Sequence, residues 1–402
     1  MAAPSPSPAI LTRTQEWALA LCVAVVTANA YYIHPIIGEV ARDFQISEAR
    51  IGIVPALNQL ALALGILLLL PLGDRYSNRR LCLIFVGAQT LCMLGMALAE
   101  GLALFTLAST LLGFVTIAPY LIPAFASKRV APERLGQVTA LLTAGVLFGI
   151  LVARVGAGVL AEHADWRLIY WAAFALMALV TVLLPRAMAS EVASIKQPHG
   201  SYPSLIASVF RLAREHRDMR MSALMQGLNF ASFTATWLAL ALHLTSDAMG
   251  YGTDVVGYLA GIAAISIFST PRLGRWADKV GARRARLIVA VVQVAGVSLL
   301  YPLGFNVFTL LVPLLVINMV GPSIDVTGRM TFLALAPDIR TRLTTYYIVA
   351  MFLGGALGSV AGTAVYDAGG WAGTCLLLLA NALAILALAY AAERRFRAQQ
   401  KW

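Results

Sequence analysis

The chain has 402 residues, 60% of them hydrophobic and only 12% charged, with a mean hydropathy of +0.79. A soluble globular chain carries roughly 25% charged residues, so this composition excludes a water-soluble enzyme, a disordered chain and a coiled coil. The net charge of +11 would suggest nucleic acid on a soluble protein, but here its placement points to membrane topology.

Apolar runs of about 20 residues recur along the chain, each long enough to cross a hydrocarbon core of about 30 Å as a helix. Twelve are read, over 17–37, 51–71, 81–99, 102–126, 138–160, 168–185, 221–244, 255–270, 287–303, 307–331, 343–365 and 372–391. The expected fold class is therefore an all-α membrane protein with twelve transmembrane helices in two pseudo-symmetric six-helix bundles. Ala28-Asn29-Ala30 looks like a signal-cleavage tripeptide, but only Arg13 precedes its apolar run, so the first span is read as uncleaved. With the N-terminus placed inside, the cytoplasmic segments hold 25 of the 30 Lys and Arg residues. The periplasmic loops hold Arg42, Arg50 and Arg167, and Arg154 and Arg329 fall within spans. This bias places both termini in the cytoplasm, as expected for a multi-pass protein of a bacterial inner membrane.

The two halves repeat. Pro132 and Pro337, Trp166 and Trp371, and Gly149 and Gly354 are each separated by 205 residues, and Asp74 and Asp278 by 204. The expected division is an N-terminal bundle over 1–186, a cytoplasmic linker over 187–220 with an amphipathic basic helix from Pro203 to Arg220, and a C-terminal bundle over 221–402. Parallel repeats of this kind are an arrangement of transporters, with the site at the repeat interface near the midplane.

Along the spans, glycines at four-residue spacing (Gly145 and Gly149; Gly354, Gly358 and Gly362) permit close helix packing. They read equally as a fixed helix pair or as a sliding seam. Pro35, Pro119, Pro123 and Pro322 are expected to interrupt helices, which a membrane tolerates where neighbours or a wet cavity satisfy the freed backbone. Cys22, Cys82, Cys92 and Cys375 sit in or at the ends of spans, with no zinc or disulfide spacing, and read as apolar fillers.

Charges inside spans default to functional hypotheses because they are costly there. Asp325 is the one acid within a span, and Arg329 follows at i+4 on the same face. Asp325 is read either as the carrier of a coupling proton or as the structural partner of Arg329. Arg154 has no acid in its own span and is a candidate anchor for an anionic substrate group, with snorkelling toward a helix end as the remaining option for these charges. His34 titrates near neutral pH and is read as a second proton-coupling candidate or as a polar rim residue. Further polar and aromatic cavity candidates are Asn29, Tyr31, Tyr32, Asn58, Gln59, Tyr120, Gln226, Asn229, Trp237 and Asn318. Individually, each is at least as well read as an interhelical hydrogen-bonding group.

The run Gly274-Arg275-Trp276-Ala277-Asp278-Lys279-Val280-Gly281-Ala282-Arg283-Arg284 closely resembles the cytoplasmic loop signature of the major facilitator superfamily. Leu72-Gly73-Asp74-Arg75-Tyr76-Ser77-Asn78-Arg79-Arg80 is its counterpart in the first half, departing from the pattern at Leu70 and Ser77. Residues 28–35, 149–154 and 352–359 resemble the bacterial small-solute and drug efflux branch. The resemblance implies a two-bundle fold, a central cavity lined by spans 1, 4, 7 and 10, and alternating access, often coupled to proton antiport. It also implies a gating role for Asp74, Arg75, Arg79, Gly274, Asp278, Lys279, Gly281 and Arg283. Ser109 stands where the drug-antiport branch usually has an arginine, and His34 where a glutamine is usual.

The resulting expectation is a monomeric secondary transporter, a proton-coupled exporter of a small organic solute. Its rival is uptake or facilitated diffusion of an organic anion held by Arg154. The partners are a small-molecule substrate, protons and membrane lipids, with no nucleic acid. No nucleophile–base pair, HExxH or phosphate loop supports an enzyme, and no cofactor is called for.

Overall fold

The computed structural model describes residues 11–127, 129–131, 134–188, 201–332 and 337–399, and every regular element among them is helical. Among the described residues nine α-helices form the first bundle: α1 (Arg13–Ala28), α2 (Ile33–Asp43), α3 (Glu48–Ile51), α4 (Ile53–Leu69), α5 (Asn78–Ala97), α6 (Leu102–Val115), α7 (Ala118–Ser127), α8 (Leu135–His163) and α9 (Arg167–Ala187). After the connecting helix α10 (Tyr202–Glu215) come α11 (Arg217–Leu244), α12 (Thr253–Gly261), α13 (Ile265–Val280), α14 (Ala282–Ser298), α15 (Leu300–Leu303), α16 (Val307–Met330) and α17 (Pro337–Gln399). Taken through their short breaks, ten helical segments among the described residues are long and apolar enough to cross a membrane.

The sequence explains the breaks. Thr12 starts α1 with a capping box, its hydroxyl accepting from the Gln15 backbone. Pro35 and Pro119 lie in the first turns of α2 and α7, where a missing N–H costs nothing. Pro123 and Pro322, expected to interrupt helices, instead lie inside α7 and α16. Gly281 ends α13 at φ 89°, and Gly370 turns α17 back on itself at φ 57°, both left-handed values that favour glycine. The linker helix is shorter than expected, because the chain leaves helical geometry at His216 before α11 begins.

The first and last described residues lie on one face, called here the termini face. On it Leu11 bonds to Arg129, Arg79 bonds to the carbonyls of Pro185 and Met188, Arg283 pairs with Asp218, and Arg283 stacks on Phe396. Helix α10 touches both bundles there: the Tyr202 hydroxyl donates to the Leu68 carbonyl, and Phe210 packs edge-on against Tyr346.

The main contacts between bundles lie at the opposite, distal face: α2 against α11, α3 and α4 against α17, and α8 against α12. Gly52 packs onto Thr363 and Ser359, and Gly257 packs onto Gly158. Gly257 follows Gly52 by 205 residues, and Thr363 follows Gly158 by 205. The same contact is thus made twice, with the two halves exchanging roles.

The four-residue glycine stripes serve a different purpose. Gly145 and Gly149 sit against the α1 backbone, and Gly354, Gly358 and Gly362 against the α11 backbone. They fix helix pairs within each bundle and do not form the seam between them.

A cavity at the bundle interface

Between the bundles lies a cavity of about 400 Å³, within the range of small-molecule sites. Both bundles line it. Tyr31, Gln59, Tyr120 and Arg154 come from the first, and Gln226, Asn229, Trp237, Asn318, Asp325 and Arg329 from the second. Four sequence candidates lie elsewhere, one of them Asn58, whose Nδ2 donates to the Ser109 carbonyl at 2.6 Å. Tyr32 packs edge-on against Tyr170 within its own bundle, Asn29 is buried with both side-chain polar atoms unbonded, and His34 sits behind Arg154.

Arg154 is the central group. Its residue is 1% exposed, and among the described residues no carboxylate pairs with it. The guanidinium lies over three rings, with its central carbon 5.3 Å from the Tyr31 centroid, 4.6 Å from Phe233 and 4.7 Å from Trp237. Each such contact contributes about 0.5–2 kcal/mol, the larger figure applying when the cation is desolvated. Nη2 bonds to His34 Nδ1 at 3.1 Å, while Nε and Nη1 have no acceptor among the described residues. A guanidinium only donates, so His34 must accept at Nδ1 and carry its proton on Nε2.

Toward the termini face, Arg329 Nε donates to both carboxylate oxygens of Asp325, at 2.9 and 3.0 Å. The Tyr347 ring lies 5.1 Å from the Arg329 guanidinium, and its hydroxyl donates to the Asp325 backbone carbonyl at 3.2 Å. Asp325 and Arg329 thus balance each other, leaving Arg154 as the unbalanced charge in the described wall.

The amides mostly hold helices together. Asn229 Nδ2 donates to the Gly321 carbonyl at 3.2 Å, Gln293 Nε2 donates to Asn229 Oδ1 at 3.1 Å, and Asn318 bonds to the Leu314 carbonyl of its own helix. Gln293 and the aromatic residues Phe230 and Phe233 line the cavity, although the sequence reading did not single them out. Phe233 lies four residues before Trp237, a helical spacing that would have flagged it.

Of the loop residues, Asp278 and Lys279 are exposed, Arg75 stacks on Tyr202, and Gly274 packs beside Val326. The side chain of Asp74 lies outside the described residues.

At the distal seam, Glu162 of α8 accepts the Thr253 backbone N–H at 2.9 Å, and the Thr253 hydroxyl donates to the Gly158 carbonyl at 3.0 Å. Gly252, the residue that opens α12, offers no side-chain cap, so the first bundle supplies one to the second.

Two membrane-embedded bundles around a shared cavity define a transporter architecture, and sequence comparison identifies the family. The Major Facilitator Superfamily profile matches residues 19–223 and again residues 222–401, and the chain belongs to that family. An uncharacterized transporter of Escherichia coli O157:H7, YgaY, is 29% identical over 358 residues, covering 89% of this chain and 90% of that protein. The probable transporter SCO4007 of Streptomyces coelicolor is 27% identical over 362 residues, covering 89% and 82%. Among solved structures, the nucleoside transporter NupG superposes with a TM-score of 0.74 at 16% identity, covering 96% of this chain and 99% of that one. A bacterial homologue of the human lysosomal transporter Spinster gives 0.72 at 14% identity, covering 94% and 95%. These likenesses extend to the fold.

Proposed function

We propose that the protein is a twelve-span secondary transporter that moves a small organic anion by alternating access, with Arg154 as the anion's anchor. The observation that carries this reading is a buried guanidinium, at the boundary of the two bundles, with two donor nitrogens unmet and no acid beside it among the described residues. An unpaired buried charge is costly, so its position in a cavity wall favours a partner that arrives with the cargo. In this reading the termini face is cytoplasmic in a bacterial inner membrane, and the tightly packed distal seam makes this the cytoplasm-open state. The loop charges at Asp278 and Lys279 are exposed, as expected of groups that engage only when that face closes.

Proton-driven export of a small organic solute is the second reading. Asp325, an acid in the cavity wall beside Arg329, favours it. Anion specificity and proton drive are separable. Vesicles reconstituted with the full chain are offered labelled organic acids and their neutral amide isosteres, with and without a pH step. Acids should be carried in preference to amides, and Arg154→Gln should raise the KM for an acid about tenfold, the equivalent of about 1.4 kcal/mol. Equal handling of acid and amide removes the anion reading, whereas indifference to the pH step removes proton drive.

A further inference from the structure

We infer that the rings of Phe233 and Trp237 compete with the cargo anion for Arg154, so that closing the distal seam expels the anion toward the termini face. This rests on the anion reading and adds to it how release is brought about.

The groups around Arg154 divide by bundle. Tyr31 and His34 belong with it to the first bundle, whereas Phe233 and Trp237 belong to α11 of the second. Together they cover the guanidinium, and Nε and Nη1 are sealed from the cavity without an acceptor. A carboxylate cannot reach those donors while the second bundle's rings stay in place. The Phe233 ring is held firmly: Phe230 stacks on it with centroids 5.5 Å apart, and Phe352 meets Phe230 edge-on.

The seam and the cage are also mechanically one unit. An added Cβ at Gly257 would lie 3.2 Å from the Arg154 carbonyl and 3.1 Å from that of Val155, so α12 of the second bundle rests on the turn that bears Arg154. Separating the bundles distally withdraws α11 and α12 from α8. Tyr31 and His34 remain with Arg154, while Phe233 and Trp237 leave it. Affinity for an anion is therefore high with the distal face open and low with it closed. A ligand drives a two-state equilibrium only through such a difference.

Binding of benzoate and of neutral benzamide to the purified full chain tests this. In Trp237→Leu, benzoate should bind about tenfold tighter than in the unaltered protein, an amount within the reach of one desolvated cation–π contact. Benzamide, which loses the same cavity-lining ring and has no charge to offer Arg154, should not gain affinity. Gly257→Trp wedges the seam open; it should bind benzoate tightly by itself, and adding Trp237→Leu should then change nothing. Retained helix content and a monodisperse elution profile establish that each variant folds, and Phe233→Leu stands in for Trp237→Leu if the latter does not. Weaker or unchanged benzoate binding in folded Trp237→Leu and Phe233→Leu, with binding still lost in Arg154→Gln, overturns the competition and leaves the anion reading intact. Benzoate binding that is indifferent to Arg154→Gln, or absent from every variant including Gly257→Trp, removes the anion reading itself.

Discussion

Arg154 and His34, 120 positions apart, meet through a single 3.1 Å hydrogen bond from guanidinium Nη2 to imidazole Nδ1. The donor cannot be exchanged for an acceptor, so a proton on Nδ1 and this pose of Arg154 exclude each other. His34→Leu should leave Nη2 without its acceptor and destabilise the protein by about 1–3 kcal/mol, the cost of an orphaned buried donor. His34→Gln retains an acceptor oxygen and should lose much less. Thermal unfolding in detergent would show this order; equal melting temperatures for the two variants would mean that the bond contributes nothing to the fold.

How much of this was legible beforehand follows from what one helix can reveal about itself. The polar and aromatic positions of spans 4, 7 and 10 stand out against apolar neighbours, and Tyr120, Gln226, Asn229, Trp237, Asn318 and Asp325 do line the cavity. The i+4 spacing of Asp325 and Arg329 is local, and their contact follows from it. What escaped depends on which helix faces which. The sequence marks Gly158, Gly257 and Gly52 no differently from glycines that pack within one bundle, and Glu162 reads as a loop acid until α12 is placed beneath it. His34, one turn past Tyr31, gives no sign that it faces Arg154 from behind the cavity wall.

Glu162 caps the opposite bundle. Its carboxylate accepts the Thr253 N–H at the start of α12, where the helix dipole adds to the attraction. Glu162→Gln keeps the shape and removes the charge, which should cost about 1 kcal/mol of distal closure. With the four native cysteines replaced, single cysteines at the seam should label several-fold faster from the distal side. Unaltered labelling would reduce the contact to local tidying of a helix end.

Two glycines should respond in opposite ways. At Gly354 an added Cβ would collide with the Gly227 carbonyl inside the second bundle, a packing that must persist throughout the cycle. Gly354→Val should therefore fail to yield folded protein. At Gly257 the added Cβ would sit 3.1 to 3.3 Å from the other bundle, across a seam that opens during transport. Gly257→Val should fold, shift toward the distal-open state and slow turnover. Yield and elution profile separate the two outcomes, and a folded Gly354→Val with ordinary turnover would contradict the rigid-bundle picture.

Asp325 and Arg329 neutralise each other on one helix, so each single substitution alters both chemistry and charge balance. Asp325→Asn removes the only acid among the described residues lining the cavity and leaves Arg329 as a second unpaired cation. If Asp325 carries a coupling proton, transport driven by a pH step should stop while counterflow exchange continues. Charge balance alone predicts another pattern, in which an extra cation tightens anion binding and slows release, so both fluxes fall together. The double variant Asp325→Asn/Arg329→Gln separates them because it restores neutrality without restoring a titratable group. Under proton carriage it remains uncoupled and still exchanges; under charge balance it recovers driven transport. The Tyr347 hydroxyl also bonds to the Asp325 backbone carbonyl at 3.2 Å, and that backbone acceptor is retained in both variants. The double variant's driven flux, compared with its exchange flux, is therefore the measurement that assigns Asp325.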